Sequence, residues 1–146
     1  MTSKTLGITV IAGTLILLSA GAFGCELAFV LTDSKGSSLS IVPGKTVSLK
    51  QGETYSLLIR LREDHNNCKV APEETQFLLE EEKWKSSKDY LPLQLLGEIN
   101  WTDTGTRTHE TEVSFKTAIP GNWELEVLRE CTKKEGYDEY LLFSVS

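Results

Sequence analysis

The sequence predicts an all-β chain, a two-layer antiparallel sandwich of about seven to nine strands behind an N-terminal hydrophobic leader. Three observations predict it. Short runs of alternating apolar and polar residues recur at spacings of roughly 8–12 residues, separated by Gly, Pro, Asn and Asp. Apolar residues at helical spacing are scarce. No strand-like run is followed by a helix-like one, so a parallel sheet with crossover helices is excluded.

The leader comes first. Lys4 is its only charge, residues 6–22 form an unbroken low-polarity run, and the small residues Ala20, Gly21, Ala22 and Gly24 lie at its end. This is the layout of a signal peptide over residues 1–24. The alternative is an uncleaved membrane anchor, because a run of about 17 apolar residues reaches the lower limit for a spanning helix. Residues 25–146 then form one domain. With 40% hydrophobic and 25% charged residues the chain is globular rather than disordered. Its formal charge of −6 repels phosphate backbones, so nucleic acid is not an expected partner.

The strands follow in order. Residues 27–32 and 39–42 are short apolar segments, and the turn Pro43-Gly44 leads into Thr46-Val47-Ser48-Leu49-Lys50, which alternates cleanly. After Gln51-Gly52-Glu53, the residues Tyr55, Leu57, Ile59 and Leu61 share one face of the strongest strand, with Ser56, Arg60 and Arg62 on the other. The polar stretch 63–68 is a loop, residues 75–79 are a strand, and Glu80-Glu81-Glu82 ends it. Residues 83–92 read as a loop or one helical turn. Residues 93–101 are a further strand, Asp103-Thr104-Gly105 a turn, and residues 111–117 a strand carrying Val113 and Phe115. In the last hairpin Trp123, Leu125 and Val127 alternate with Glu124 and Glu126 after Pro120-Gly121-Asn122; Lys134-Glu135-Gly136 then turns the chain into residues 140–145.

Two resemblances accompany this reading. The stretch Ser19-Ala20-Gly21-Ala22-Phe23-Gly24-Cys25 resembles the end of bacterial lipoprotein signals, apart from the bulky Phe23, and implies lipidation of Cys25. The stretch Gly121-Asn122-Trp123-Glu124-Leu125-Glu126-Val127, with the strand count, resembles the penultimate strand of immunoglobulin-like and fibronectin type III-like domains. Cys68 falls beyond the end of the strong strand, whereas the immunoglobulin pattern places its bridging cysteines within strands.

The chain has three cysteines, an odd number for an exported protein. Assigning Cys25 to a lipid leaves Cys68 and Cys131 to pair, tying one end of the sandwich. That loop would remove about 4 kcal/mol of unfolded-chain entropy. The alternative is a metal or redox site built from His65, Cys68 and Cys131, although these spacings form no standard zinc pattern. His109, the other histidine, is distant in sequence.

No Gly-x-Ser-x-Gly, Walker A, Gly-x-Gly-x-x-Gly, His-Glu-x-x-His or calcium-loop motif is present, and no cofactor is expected. The acidic groups Glu73-Glu74 and Glu80-Glu81-Glu82 read as solvated faces. The candidate binding loop is Asp64, His65, Asn66 and Asn67, the densest set of hydrogen-bonding and metal-capable groups in the chain. Trp84, Tyr90 and Trp101 are candidate aromatic anchors, with core positions as the alternative. Asn100-Trp101-Thr102 is an N-glycosylation sequon. The expected protein is a non-enzymatic exported module that binds or supports another exported protein. It would be held at the membrane by a lipid on Cys25 or by its leader, and be periplasmic or secreted otherwise. The alternative function is an extracytoplasmic redox or metal accessory.

Overall fold

A computed structural model describes residues 25–63, 69–131 and 136–146 of the chain. In chain order the strands are β1 (Glu26–Asp33), β2 (Ser38–Ile41), β3 (Thr46–Leu49), β4 (Thr54–Arg62), β5 (Gln76–Leu79), β6 (Glu82–Lys83), β7 (Leu93–Leu95), β8 (Thr102–Gly105), β9 (Thr108–Thr117), β10 (Gly121–Arg129) and β11 (Tyr137–Val145). One sheet has the order β2-β1-β4-β9-β7, with β8 also on β9, and the other the order β3-β11-β10-β5-β6. Placing β1, β4, β9 and β7 against β5, β10 and β11 reproduces the A-B-E-D and C-F-G layers of an immunoglobulin-like sandwich.

Alternation builds both inner faces. Along β4 the side chains of Tyr55, Leu57, Ile59 and Leu61 are buried, and along β10 and β11 so are Leu125, Val127, Leu141, Phe143 and Val145. Phe115 of β9 is the hub of the core. Its ring lies 5.6 Å from Trp84, 5.9 Å from Tyr55 and 5.9 Å from Phe143. Trp84 leaves β6 and plunges between the sheets, its backbone N donating to Phe77 O (2.9 Å) in one sheet and its indole Nε1 to Leu93 O (2.7 Å) in the other. A buried indole needs such an acceptor, and this one fastens the two layers together.

The glycine of the Gly-x-Trp motif has a specific task. Gly121 adopts φ 141°, and a Cβ there would meet Trp123 Cζ2 at 2.9 Å. The ring of Trp123 folds back over the start of β10 and donates from Nε1 to Ile119 O at 2.9 Å. Only glycine allows that approach.

The sandwich differs in detail from the sequence expectation. The described residues hold eleven strands against the seven to nine expected, because the edges carry short strands whose pattern is too brief to read. One pair, β3 with β11, is parallel. Strand β3 is reached from β2 by a tight connection through Pro43-Gly44 that changes sheets, and it caps the open edge of β11. Glu80 and Glu81 do end β5 as expected, and they go on to form the two-residue turn of the β5–β6 hairpin, both at positive φ (49° and 65°). Asp103-Thr104-Gly105, expected as a turn, lies in β8, and the chain reverses at Thr106-Arg107 instead. The expected strand over residues 93–101 is interrupted after Leu95, where Gly97 takes φ 107° and the chain leaves the sheet before β8.

Candidate functional site

The first place to look is the end of the sandwich from which the expected binding loop departs. Asp64, His65, Asn66, Asn67 and Cys68 lie outside the described residues, so the loop, the Cys68–Cys131 bridge and the metal alternative with His65 are all untouched by the geometry. Their flanks are described. Glu26 pairs with Arg62, so Cys25, buried immediately before β1, sits at the Arg62 end of β4. In the facing sheet β10 ends at Arg129, and half-buried Cys131 follows two residues later.

Arg129 occupies an inward position, next in the alternation after Leu125 and Val127, and is 1% exposed. Its two terminal nitrogens bond across the layers. Nη1 donates to Ala71 O (2.8 Å), and Nη2 donates to Val70 O (2.6 Å) and to Glu63 Oε1 (3.2 Å). Glu63 Oε1 also lies 3.7 Å from His109 Nε2, and His109 Nδ1 is 2.6 Å from Asp103 Oδ1. His109 pairs with Leu61 in register, which brings this second histidine to the same end as the loop. Among the described residues this acid–histidine–acid–arginine chain has no serine, threonine or cysteine bonded to the imidazole. Among the described residues no group of three or more His, Cys, Asp and Glu is placed to hold a metal ion.

A second place is built by the interruption at Gly97. Where residues 96–101 leave the sheet, a groove of about 340 Å³ opens between them and the β5–β6 hairpin. This volume lies within the range of small-ligand sites. Phe77, Trp84, Leu95, Ile99 and Trp101 form its apolar wall, and Lys83, Lys85, Glu73, Glu98, Ser86 and Ser87 its rim. Thr75 also lines it. Thr75 is 7% exposed, and its Oγ1, closed off from solvent, has no hydrogen-bond partner among the described residues. Leaving a buried hydroxyl unpaired costs about 1–3 kcal/mol, and Thr111 Oγ1 in the core is in the same state.

The three aromatic candidates divide. Trp84 is core at 2% exposed, Trp101 is half-buried on the groove wall, and Tyr90 is 60% exposed. The indole N–H groups of Trp84 and Trp123 are spent on backbone carbonyls, whereas that of Trp101 makes no hydrogen bond among the described residues. Tyr90 and Lys88 both donate to Glu82 Oε2 at 2.7 Å, closing the connection over residues 83–92. The bond from Lys88, then that from Tyr90, holds the Glu82 carboxyl below its ordinary value. On the opposite edge a groove of about 300 Å³ between β2 and β3 reaches Tyr55, whose hydroxyl already accepts from Lys50 N (2.9 Å).

Sequence reasoning placed Trp101 among the candidates and missed both Thr75 and Arg129. Continuing the alternation of β10 from Leu125 and Val127 would have turned Arg129 inward. Nothing local marks Thr75, because its hydroxyl is isolated by what packs around it.

No family model matches the chain, and no curated protein matches it. Among solved structures, a chain described as "GspB Siglec domain" is similar over 81% of this chain at 9% identity and a TM-score of 0.48; this chain spans 57% of its length. Domains 4 and 5 of the S-layer protein SbsC are similar over 95% of this chain and 86% of theirs, at 11% identity and a TM-score of 0.36. Likenesses of this degree assign the chain to no family, and its class rests on its own strand order, that of an all-β immunoglobulin-like sandwich.

Proposed function

We propose that the chain is an exported, membrane-tethered binding module without catalytic activity, and that its partner is received in the groove beside Trp101. The observation that carries the binding reading is the groove of about 340 Å³ beside half-buried Trp101, with Ile99 and Leu95 on its wall.

Export and tethering rest on the leader, whose apolar run of residues 6–22 ends beside Cys25. Cys25 directly precedes β1, so a lipid there leaves no linker. In that arrangement the Arg62–Arg129 end of the sandwich, toward which Thr75 and Trp101 lie, faces the bilayer. The same end is where a Cys68–Cys131 bridge would lie, since the contact of Glu63 with Arg129 draws the flanks of both cysteines together.

The test is the intact mass of the protein from its native membrane fraction, with and without reduction and alkylation. A mass starting at Cys25 with added acyl chains, and two further thiols that react only after reduction, is the expected result. A full-length unlipidated mass in the soluble fraction would remove the tether. Trp101→Ala should abolish retention of exported material without altering fractionation; unchanged retention would remove the groove as the binding surface.

A further inference from the structure

We propose that Asn100 is a glycosylation site, the acceptor of a sugar chain transferred from a lipid-linked phosphate or diphosphate. This rests on the export reading and is independent of the groove.

Asn100-Trp101-Thr102 is the sole Asn-x-Ser/Thr sequence in the chain, and it lies where the sequence predicts a strand. The structure removes it from that strand. Strand β7 stops at Leu95, β8 starts at Thr102, and Asn100 makes no backbone hydrogen bond among the described residues. Burial alternates along the stretch between them. Ile99 and Trp101 are half-buried against the core, whereas Glu98, Asn100 and Thr102 are exposed. The acceptor amide and the hydroxyl two residues on, which a transferase has to grip together, therefore stand on the same open side. Neither is tied up, since the side chains of Asn100 and Thr102 form no hydrogen bond among the described residues. Strand β8 pairs with β9 alone and all four of its residues are exposed, which leaves Thr102 within reach. Glu98, in the same exposed row, stands two positions before the asparagine, the place that an acidic residue takes in the bacterial form of the acceptor sequence.

In the transfer Asn100 Nδ2 forms a bond to the anomeric carbon of the sugar, the anomeric C–O bond to the lipid phosphate breaks, and the lipid phosphate leaves with that electron pair. One amide proton goes to a base of the transferase, and nothing is oxidised or reduced. The donor is held in a bilayer. Thr102 pairs with Glu110 and Glu110 with Arg60, near the Arg62 end of the sandwich where Cys25 lies, so a tether on Cys25 holds the acceptor close to its donor. Asn100 is not among the residues that line the groove, so a sugar there and a partner in the groove are compatible.

Trypsin, cutting after Lys88 and Arg107, releases residues 89–107, in which Asn100 is the sole asparagine. In protein purified from its native membrane fraction this peptide should carry the mass of one or more sugar residues, placed on Asn100 by fragmentation that keeps the sugar attached. Asn100→Gln and Thr102→Ala should each remove that mass completely. Thr102→Ser, which keeps the hydroxyl, should retain it, and Glu98→Gln should lower the occupied fraction. All three positions are exposed, so the variants fold as the parent does. Export is scored separately, by proteolysis of the domain in cells whose outer layers are opened while the cytoplasm stays sealed. An unmodified peptide from a domain that the protease reaches overturns the site and leaves export standing; from a domain that it does not reach, it overturns both. Added mass that survives Asn100→Gln lies on a threonine of the same peptide and overturns the assignment to Asn100. Occupancy unchanged by Glu98→Gln overturns the part given to Glu98.

Discussion

Arg129 Nη2 lies 3.2 Å from Glu63 Oε1, joining the last residue of β10 to the residue just beyond β4 in the opposite sheet. The pair works as a clamp because the same guanidinium also takes the carbonyls of Val70 and Ala71. Replacing Arg129 by Met keeps much of the volume but strands a nearly buried carboxylate and those two carbonyls. The expected cost is about 3–5 kcal/mol, read as a lower urea midpoint, with Glu63→Gln costing about 1–3 kcal/mol because the amide still accepts. An Arg129→Met protein within experimental error of the parent would show that the clamp contributes nothing.

Cys131 follows this clamp by two residues. If it pairs with Cys68, reducing the protein should lower its stability by about 4 kcal/mol, and Cys131→Ser should cause the same loss without reductant. Alkylation of native protein with a maleimide decides the matter: labelling of Cys131 before reduction rules the bridge out.

Gly121 is fixed by the ring that covers it. Gly121→Ala places a methyl group 2.9 Å from Trp123 Cζ2 at a φ of 141° that L residues rarely adopt. A loss of about 1–3 kcal/mol is expected, together with a changed Trp123 indole signal as the ring is pushed aside. An unchanged Trp123 environment would mean that the close approach places no demand on residue 121.

Glu126 gives the fold a pH dependence of definite sign. It is half-buried between Leu78 and Tyr140, and burial first, then Asp138 with Glu124 and Glu81, pushes its carboxyl above the ordinary value of 4.5. A raised carboxylate in the folded state means that ionisation opposes folding. The penalty is present at neutral pH and is relieved as pH falls through the raised value, where the folded chain takes up the proton before the unfolded one. Glu126→Gln should therefore stabilise the protein at neutral pH by about 0.2–1 kcal/mol, the usual worth of a cross-strand pair, and the advantage should shrink on acidification. An advantage that grows as pH falls would contradict this assignment.

Much of the architecture was legible in the sequence. The alternations of Tyr55, Leu57, Ile59 and Leu61, and of Leu125 and Val127, fix which faces turn inward, because a pleated strand sends successive side chains to opposite sides whatever its neighbours are. The Gly121-x-Trp123 motif was legible for the same reason: its signal is local. Strand order was not. Nothing near Thr46 says that β3 will lie parallel to β11, since pairing is chosen by which arrangement covers both inner faces and both edges at once. The functional surface belongs to this second kind. Residues 93–101 read as one continuous strand, and it is the departure of the chain after Leu95, with Gly97 at positive φ, that separates Trp101 from the sheet and opens the groove. Residue chemistry alone therefore determined a β-sandwich and its core. Tertiary packing alone decided that the Thr75 hydroxyl would be buried without a partner and that the Arg129 charge would find its carboxylate across the layers, because both depend on contacts between segments far apart in the chain.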